Sequence, residues 1–233
     1  MQVNCSILIR MHYHRPSASI HIDIPPEARA KIVDVQSDGW CGFRALAMHH
    51  CGNEDLFMRV KSQMYDYLCE NEDEVLTVVC LGAKSEFDIL KERMEYGVEH
   101  HTYAADSYCP EKYWFEASTD CQLAANTFNR PVAIFCDNPD EWPTKMFFPI
   151  RAPPRIKMSP MVMYHVNSNH YQAIDLSAKK MEWPGISRRK EAMWKKQGLP
   201  HRLKDVWNFL TLKKVVITSN ESHPHEIEED SPI

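Results

Sequence analysis

The chain of 233 residues is 44% hydrophobic and 10% aromatic, which is enough to bury one sizeable core and favours a single main domain. Its net charge of −5 argues against a general nucleic-acid binder. We expect neither a signal peptide nor a membrane span, since no stretch approaches about 18 continuous apolar residues. Eight cysteines without a C-x-x-C pair indicate free thiols in a reducing compartment, namely the cytoplasm, with the nucleus as the alternative.

Predicted elements in the first half are mainly helical. Short strands are predicted at 5–10, 19–24 and 31–35, and the third leads into a turn at Ser37-Asp38-Gly39. Helical spacing of apolar residues then predicts helices over 43–50, 54–68 and 74–81. Two capping boxes, at Ser85 and Thr119, predict the starts of two further helices.

Predicted elements in the second half are mainly strands. They are expected at 132–136, 145–150, 161–166 and 170–176. A three-residue turn, Asn167-Ser168-Asn169, joins the last two as a β-hairpin. Helices are predicted again over 187–197 and 203–212. The order predicts an α+β fold with a small mixed or antiparallel sheet packed between helices.

Cys41 is the residue most suggestive of chemistry. It follows the turn and comes directly before the helix predicted over 43–50. Unpaired N–H groups and the positive end of a helix dipole favour a thiolate at such a position. We therefore expect an activated nucleophile, which requires a histidine elsewhere in the chain.

His170 is the best candidate for that base among twelve histidines. His49 and His50 lie on the same predicted helix as Cys41, roughly 12–13 Å further along its axis, too far to take the thiol proton. His170 instead begins a strand after a tight turn. Because side chains alternate along a strand, Gln172 points to the same side and is a candidate to orient the imidazole.

Cysteine and histidine runs together resemble the signature motifs of the OTU (ovarian tumour) cysteine proteases. The resemblance covers roughly residues 31–176 in the family's order. The matching segments are DGWCGFRA at 38–45, Asn169-His170-Tyr171, Trp114, Leu123-Ala124-Ala125-Asn126 and Arg130-Pro131-Val132-Ala133-Ile134. A basic stretch over 183–209, with Trp194, resembles extensions on OTU domains associated with transposable elements.

The resemblance implies an OTU-like, papain-like fold and a protease that cleaves after the C-terminal glycine of ubiquitin or a ubiquitin-like protein. It implies that Cys41 is the nucleophile, His170 the general base and then acid, and Asp38 the acidic residue that organises the loop. Backbone N–H groups near Trp40 and Cys41, together with Gly39, would form the oxyanion loop.

Two positions depart from the family's pattern. Trp40 stands where a small polar residue is common, and its ring either narrows the channel for a Gly-Gly tail or packs inside. Gln172 stands where many members have Asn or Asp, so the third catalytic member is open between Asp38, Gln172 and Asn169.

Expected partners are ubiquitin, polyubiquitin chains and ubiquitin-like proteins, with a monomeric enzyme and no metal or cofactor. The polar segment 82–113 is a candidate substrate-facing arm. Two alternatives remain, a catalytically inactive ubiquitin-binding module and a peptidase that processes a viral or mobile-element polyprotein. The predicted organisation is an N-terminal extension or edge strands over 1–30, an OTU-like domain over 31–178, a basic helical extension over 179–218 and a disordered acidic tail over 219–233.

Overall fold

A computed structural model describes residues 29–98, 108–137, 145–150, 160–176 and 188–196. Predicted strands at 5–10 and 19–24, the helix predicted over 203–212 and the acidic tail lie outside these residues. The predicted domain boundaries therefore stay predictions.

Most helices of the described chain precede the strand Val132–Cys136, and one follows the last strand. The helices are α1 (Cys41–Cys51), α2 (Phe57–Glu70), α3 (Glu72–Glu74), α4 (Lys84–Glu95), α5 (Ala117–Thr127) and α6 (Arg188–Lys196). A π-helical turn, Val75–Val79, continues α3. Helix α2 shows why the spacing predicted helices, because Phe57, Val60, Met64 and Leu68 all face the core and are at most 3% exposed.

A five-stranded mixed sheet makes up the other half of the core. Its strands are β1 (Arg29–Val33), β2 (Val132–Cys136), β3 (Lys145–Phe147), β4 (Met161–Val166) and β5 (His170–Leu176). Their spatial order is β1-β5-β4-β2-β3, with β2 parallel to β4 and the other pairs antiparallel. The predicted α+β class with a small mixed sheet is confirmed, and so are the predicted bounds of β2, β4 and β5.

The β4–β5 hairpin and helix α1 together position the site. In the hairpin, Val166 pairs with His170 across the predicted three-residue turn. Helix α1 packs on β4 and β5, which brings its first residue, Cys41, to the end of the sheet where β5 begins. Strand β1 borders β5 on the other side, with Val33 opposite Ala173.

Both capping boxes are misplaced in the sequence prediction. Helix α4 starts at Lys84, after Ala83, which offers no side-chain cap, so Ser85 already lies in the first turn. Helix α5 starts three residues earlier than its box implied, and its cap is Glu116, whose carboxylate accepts hydrogen bonds from the Ser118 and Thr119 N–H groups. A longer acidic side chain reaches these N–H groups from outside the helix and displaces Thr119 from the cap.

Candidate active site

Cys41 is the first residue of α1, at the junction between that helix and strand β5. Its side chain is buried, and the Tyr171 backbone N–H hydrogen-bonds to the thiol. Burial nevertheless dominates and raises the pKa of Cys41 to about 11. The N–H groups at the helix start act in the expected direction, favouring a thiolate, but desolvation of the buried thiol outweighs them.

His170 is held by one side chain at each ring nitrogen. Its Nε2 lies 2.9 Å from Asp34 Oδ1, and its Nδ1 lies 3.2 Å from Ser37 Oγ. The imidazole is only 2% exposed. Since Tyr171 is its neighbour on β5 and reaches the Cys41 thiol, the structure brings the predicted nucleophile and base to one place.

Asp34 is the carboxylate that sequence reasoning missed. The open choice for a third member was between Asp38, Gln172 and Asn169, yet Asp34 is the acid at the imidazole. Gln172 supports it from β5, because its Nε2 donates to Asp34 Oδ1 at 3.1 Å, rather than offering its amide oxygen to His170. Asn169 lies exposed in the hairpin turn. Asp34 follows β1, so only the β1–β5 pairing reveals its position.

Asp38 organises the loop that precedes the thiol. Its Oδ1 accepts the Trp40 N–H at 3.0 Å, and its Oδ2 accepts Arg44 Nε at 3.0 Å and Nη2 at 2.6 Å. Arg44 is 2% exposed, so this is a buried, charge-assisted pair between the loop and the first turn of α1. The Trp40 N–H is thereby committed to Asp38, and the Cys41 and Gly42 N–H groups are the ones beside the thiol. The predicted oxyanion role of the N–H groups near Trp40 and Cys41 stays a prediction.

Trp40 packs inside the molecule, which decides between its two sequence-based interpretations. It is 1% exposed. Its ring stacks on that of Tyr96, with the ring centroids 5.8 Å apart, and its centroid lies 5.6 Å from that of the Phe57 ring. The Lys61 ammonium lies 5.7 Å from its ring. The ring therefore anchors the loop to the helical core and does not line a substrate channel.

Gly39 lets a second segment close over the loop. Its φ of +83° suits glycine, and an added Cβ would lie 2.6 Å from both the Cys109 carbonyl oxygen and Trp114 Nε1. The Cys109 N–H donates to the Asp38 carbonyl at 2.8 Å, and Trp114 Nε1 donates to the Cys109 carbonyl at 2.9 Å. Residues 108–114 thus form one wall beside the loop.

Seven cysteines within the described residues are free, in keeping with the predicted reduced thiols. Among those same residues, no three His, Cys, Asp or Glu side chains come together as a metal site would need. Within the described ranges, no helix combines the length and apolarity that a membrane crossing requires.

Comparisons with known proteins return structural matches alone, since no protein-family model and no curated protein matches the chain. The viral OTU domain protease from Farallon virus is 20% identical with a TM-score of 0.39, over 64% of this chain and 85% of that one. That from Dera Ghazi Khan virus is 11% identical with a TM-score of 0.43, over 63% and 81%. The Hazara virus OTU, solved bound to ubiquitin, is 16% identical with a TM-score of 0.41, over 64% and 82%. These three structures are OTU domains, and similarity this low supports nothing further.

Proposed function

We propose that this chain is a cysteine protease of the deubiquitinase type, which hydrolyses isopeptide or peptide bonds after the C-terminal glycine of ubiquitin or a ubiquitin-like protein. The observation that carries the proposal is the arrangement of Cys41 at a helix start, His170 on the adjoining strand and Asp34 on the imidazole Nε2. A thiol, an imidazole and a carboxylate in that order are the parts of a thiol protease. The choice of ubiquitin rests on the motifs at 38–45 and 169–171.

Asp34 assigns the roles of the two ring nitrogens. With Nε2–H donating to Asp34, Nδ1 is left as the proton acceptor. Substrate binding displaces the Ser37 hydroxyl from Nδ1 of His170. The freed Nδ1 then takes the Cys41 proton. Such a transfer is required because the buried thiol is protonated at neutral pH.

The reaction then follows acyl transfer in two steps. The Cys41 thiolate adds to the carbonyl carbon of the terminal glycine, and the oxyanion accepts hydrogen bonds from the Cys41 and Gly42 N–H groups. The imidazolium of His170 then protonates the amine as the C–N bond breaks, and a thioester remains on Cys41. Water, deprotonated by His170, hydrolyses the thioester and restores the thiol.

A panel of di-ubiquitins of every linkage tests this function. Wild-type protein is expected to cleave at least one linkage, while Cys41→Ala, which keeps the fold, cleaves none. Junction peptides from viral or mobile-element polyproteins, run beside the panel, are expected to stay uncut. Folded wild-type protein that cuts those peptides and no di-ubiquitin would contradict the proposal.

Two observations favour the second candidate, an inactive ubiquitin-binding module. The resting thiol has a raised pKa, and Ser37 occupies the ring nitrogen that faces the cysteine loop. A permanent version of this arrangement would bind ubiquitin without turnover. Ubiquitin binding by wild-type protein that leaves all linkages intact would favour this candidate.

A further inference from the structure

A cavity of about 70 Å³ lies between the start of α5 and strands β2, β3 and β4. Residues 116–118 line it from the helix, and Ile134, Cys136, Lys145 and His165 are among those that line it from the strands. The strand register brings these side chains together, since Ile134 pairs with Lys145 and Cys136 pairs with His165. A water molecule needs about 10–15 Å³ of such space, so the cavity has room for a ligand of several non-hydrogen atoms.

The strand side of this cavity is largely apolar. Ile134, Cys136 and Phe147 line it there, and each is 2% exposed. Burial raises the pKa of the Cys136 thiol to about 12 and lowers the pKa of the His165 imidazole. Both side chains are therefore neutral at physiological pH, and the surface that they form with Ile134 and Phe147 favours an apolar group.

Two ammonium groups lie beside this apolar surface. Lys145 lines the cavity and, within the described residues, has no hydrogen bond or ion pair. Lys190, on α6, is 6% exposed, and its Nζ donates to the Ser118 carbonyl at 2.5 Å and lies 4.9 Å from the centroid of the Phe147 ring. Since Ser118 and Phe147 both line the cavity, this ammonium lies at its wall. It carries three N–H donors, of which one is used in a hydrogen bond in the described part of the chain.

The carboxylates near the cavity are bound to other groups. Glu116 lines it, but its carboxylate accepts the N–H and hydroxyl groups of both Ser118 and Thr119 at 2.7–3.0 Å. Asp137, next to Cys136 in sequence, accepts the Asn167 N–H at 2.6 Å. No ion pair joins either carboxylate to one of the two lysines among the residues that the structure describes. A negatively charged group in the cavity would therefore find two cations that lack such a partner, and buried charges are stabilised by pairing.

We propose that this cavity binds a small organic anion, a single carboxylate carried on a short apolar stem. The stem packs against Ile134, Cys136 and Phe147, and the carboxylate accepts hydrogen bonds from Lys145 and Lys190. Inorganic phosphate has no apolar stem and would lose its hydration against an apolar surface, so it fits less well. The site goes beyond the proposed function, because none of these residues takes part in the reaction proposed for Cys41.

Titration of the full chain with butyrate, followed by two-dimensional amide NMR, tests the site. We expect saturable shifts in the signals of residues 116–118 and 134–136, with a Kd of about 1 mM or below, which so small a ligand can reach. Butyramide has nearly the same shape without the charge. It is expected to bind about tenfold more weakly, because it loses the charge-assisted hydrogen bonds, and inorganic phosphate is also expected to bind more weakly than butyrate.

Three variants locate the bound anion. Lys145→Met keeps most of the side-chain volume but removes the charge, and it is expected to weaken butyrate binding about tenfold. Ala117→Leu narrows the cavity without changing its charge and is also expected to weaken binding. Lys196→Met removes an exposed lysine from α6 and serves as the matched control, with binding expected to equal that of wild type.

Equal affinity for butyrate and butyramide would overturn the inference, as would phosphate binding as tight as that of butyrate. Equal losses in Lys145→Met and Lys196→Met would overturn it too. Shifts that do not saturate by about 10 mM butyrate, or that lie outside both segments, would mean an adventitious anion on surface lysines and would also overturn it. None of these results bears on the proposed function, which di-ubiquitin cleavage tests separately.

Discussion

The third member of the site is the residue on which sequence and structure differ most usefully. Sequence reasoning looked for it near the two motifs, at Asp38, Gln172 and Asn169. In the structure, the Asp38 carboxylate instead accepts hydrogen bonds from Arg44 and Trp40, and Asp34 is the carboxylate that hydrogen-bonds to His170. Motif spacing finds Cys41 and His170 because each lies in a local pattern. Asp34 and His170 are 136 residues apart in sequence, so Asp34 becomes recognisable only when β1, which it follows, is paired with β5.

Replacing Asp34 by Ala is expected to lower kcat by about 10- to 100-fold with little change in KM, since orienting partners of a reactive histidine typically contribute that much. Loss of the carboxylate frees the imidazole to adopt the wrong tautomer. Steady-state kinetics on ubiquitin-aminocoumarin measure the effect. The matched control is Asp175→Ala, an exposed carboxylate on the same pair of strands, and equal losses in both variants would contradict the assignment.

The Cys41 thiol is expected to react faster as the pH rises. Burial raises its pKa to about 11, so the thiolate fraction, and with it the alkylation rate, is expected to grow about tenfold per pH unit between pH 7 and 10. Site-resolved mass spectrometry after iodoacetamide treatment follows this rate, with the exposed Cys69 as internal reference. A rate that is already constant by pH 7 would indicate a resting thiolate–imidazolium pair instead.

Helix α1 depends on a close approach between its first turn and the segment before α5. A Cβ on Gly42 would lie 2.2 Å from Phe115 Cγ. Phe115 cannot easily move, because its ring packs edge to face against Phe43 and Tyr171, with ring centroids 5.2 Å apart in each pair. Tyr171 is the residue whose N–H reaches the thiol, so packing at this point is linked to the geometry of the site.

Gly42→Ala is therefore expected to cost about 1–3 kcal/mol of stability, as overpacking does, and to abolish most activity in the protein that still folds. Chemical denaturation and kcat/KM measure the two effects. Gly52→Ala is the control, since Gly52 has a φ of +73° but nothing within 4 Å of an added Cβ. That variant is expected to lose stability and keep activity, and full activity in Gly42→Ala would refute the link.

Elements with strong local patterns were predictable and tertiary choices were not. β2, β4 and β5 were predicted with their observed bounds because continuous apolar runs and a tight turn mark them. The cap of α5 was not predicted. The capping-box pattern pointed to Thr119, but the Glu116 side chain accepts the N–H groups of Ser118 and Thr119, so the helix begins earlier. The placement of Trp40 could not be read from sequence, because inward and outward rings look alike at that position.

A fully buried cation on α2 links that helix to the end of α4. Lys61, on α2, is fully buried, and its Nζ donates to the carbonyls of Arg93, Met94 and Tyr96 at 2.6–2.7 Å. These carbonyls end α4, so the ammonium caps that helix from inside the core. Burial lowers the pKa of Lys61 to about 7.

Lys61→Met is expected to be less stable than wild type by about 1–3 kcal/mol, because it leaves the three carbonyls unpaired. The folded pKa lies below the unfolded one, so the unfolded chain holds more protons between pH 7 and about 10. The stability advantage of wild type over the variant is expected to grow with pH across that window. Urea denaturation at several pH values measures it, and an advantage that does not change with pH would mean that the carbonyls keep the ammonium charged.

At the scale of the whole molecule, the proposed function requires that Cys41 attacks the end of ubiquitin with the help of His170 and Asp34. The most direct measurement is incubation with ubiquitin that carries a C-terminal electrophile, followed by peptide mapping of the adduct. The predicted result is one adduct per chain on Cys41, slowed in Asp34→Ala and His170→Ala and absent in Cys41→Ala. Folded wild-type protein that forms no adduct, or forms it on another cysteine, would contradict the account.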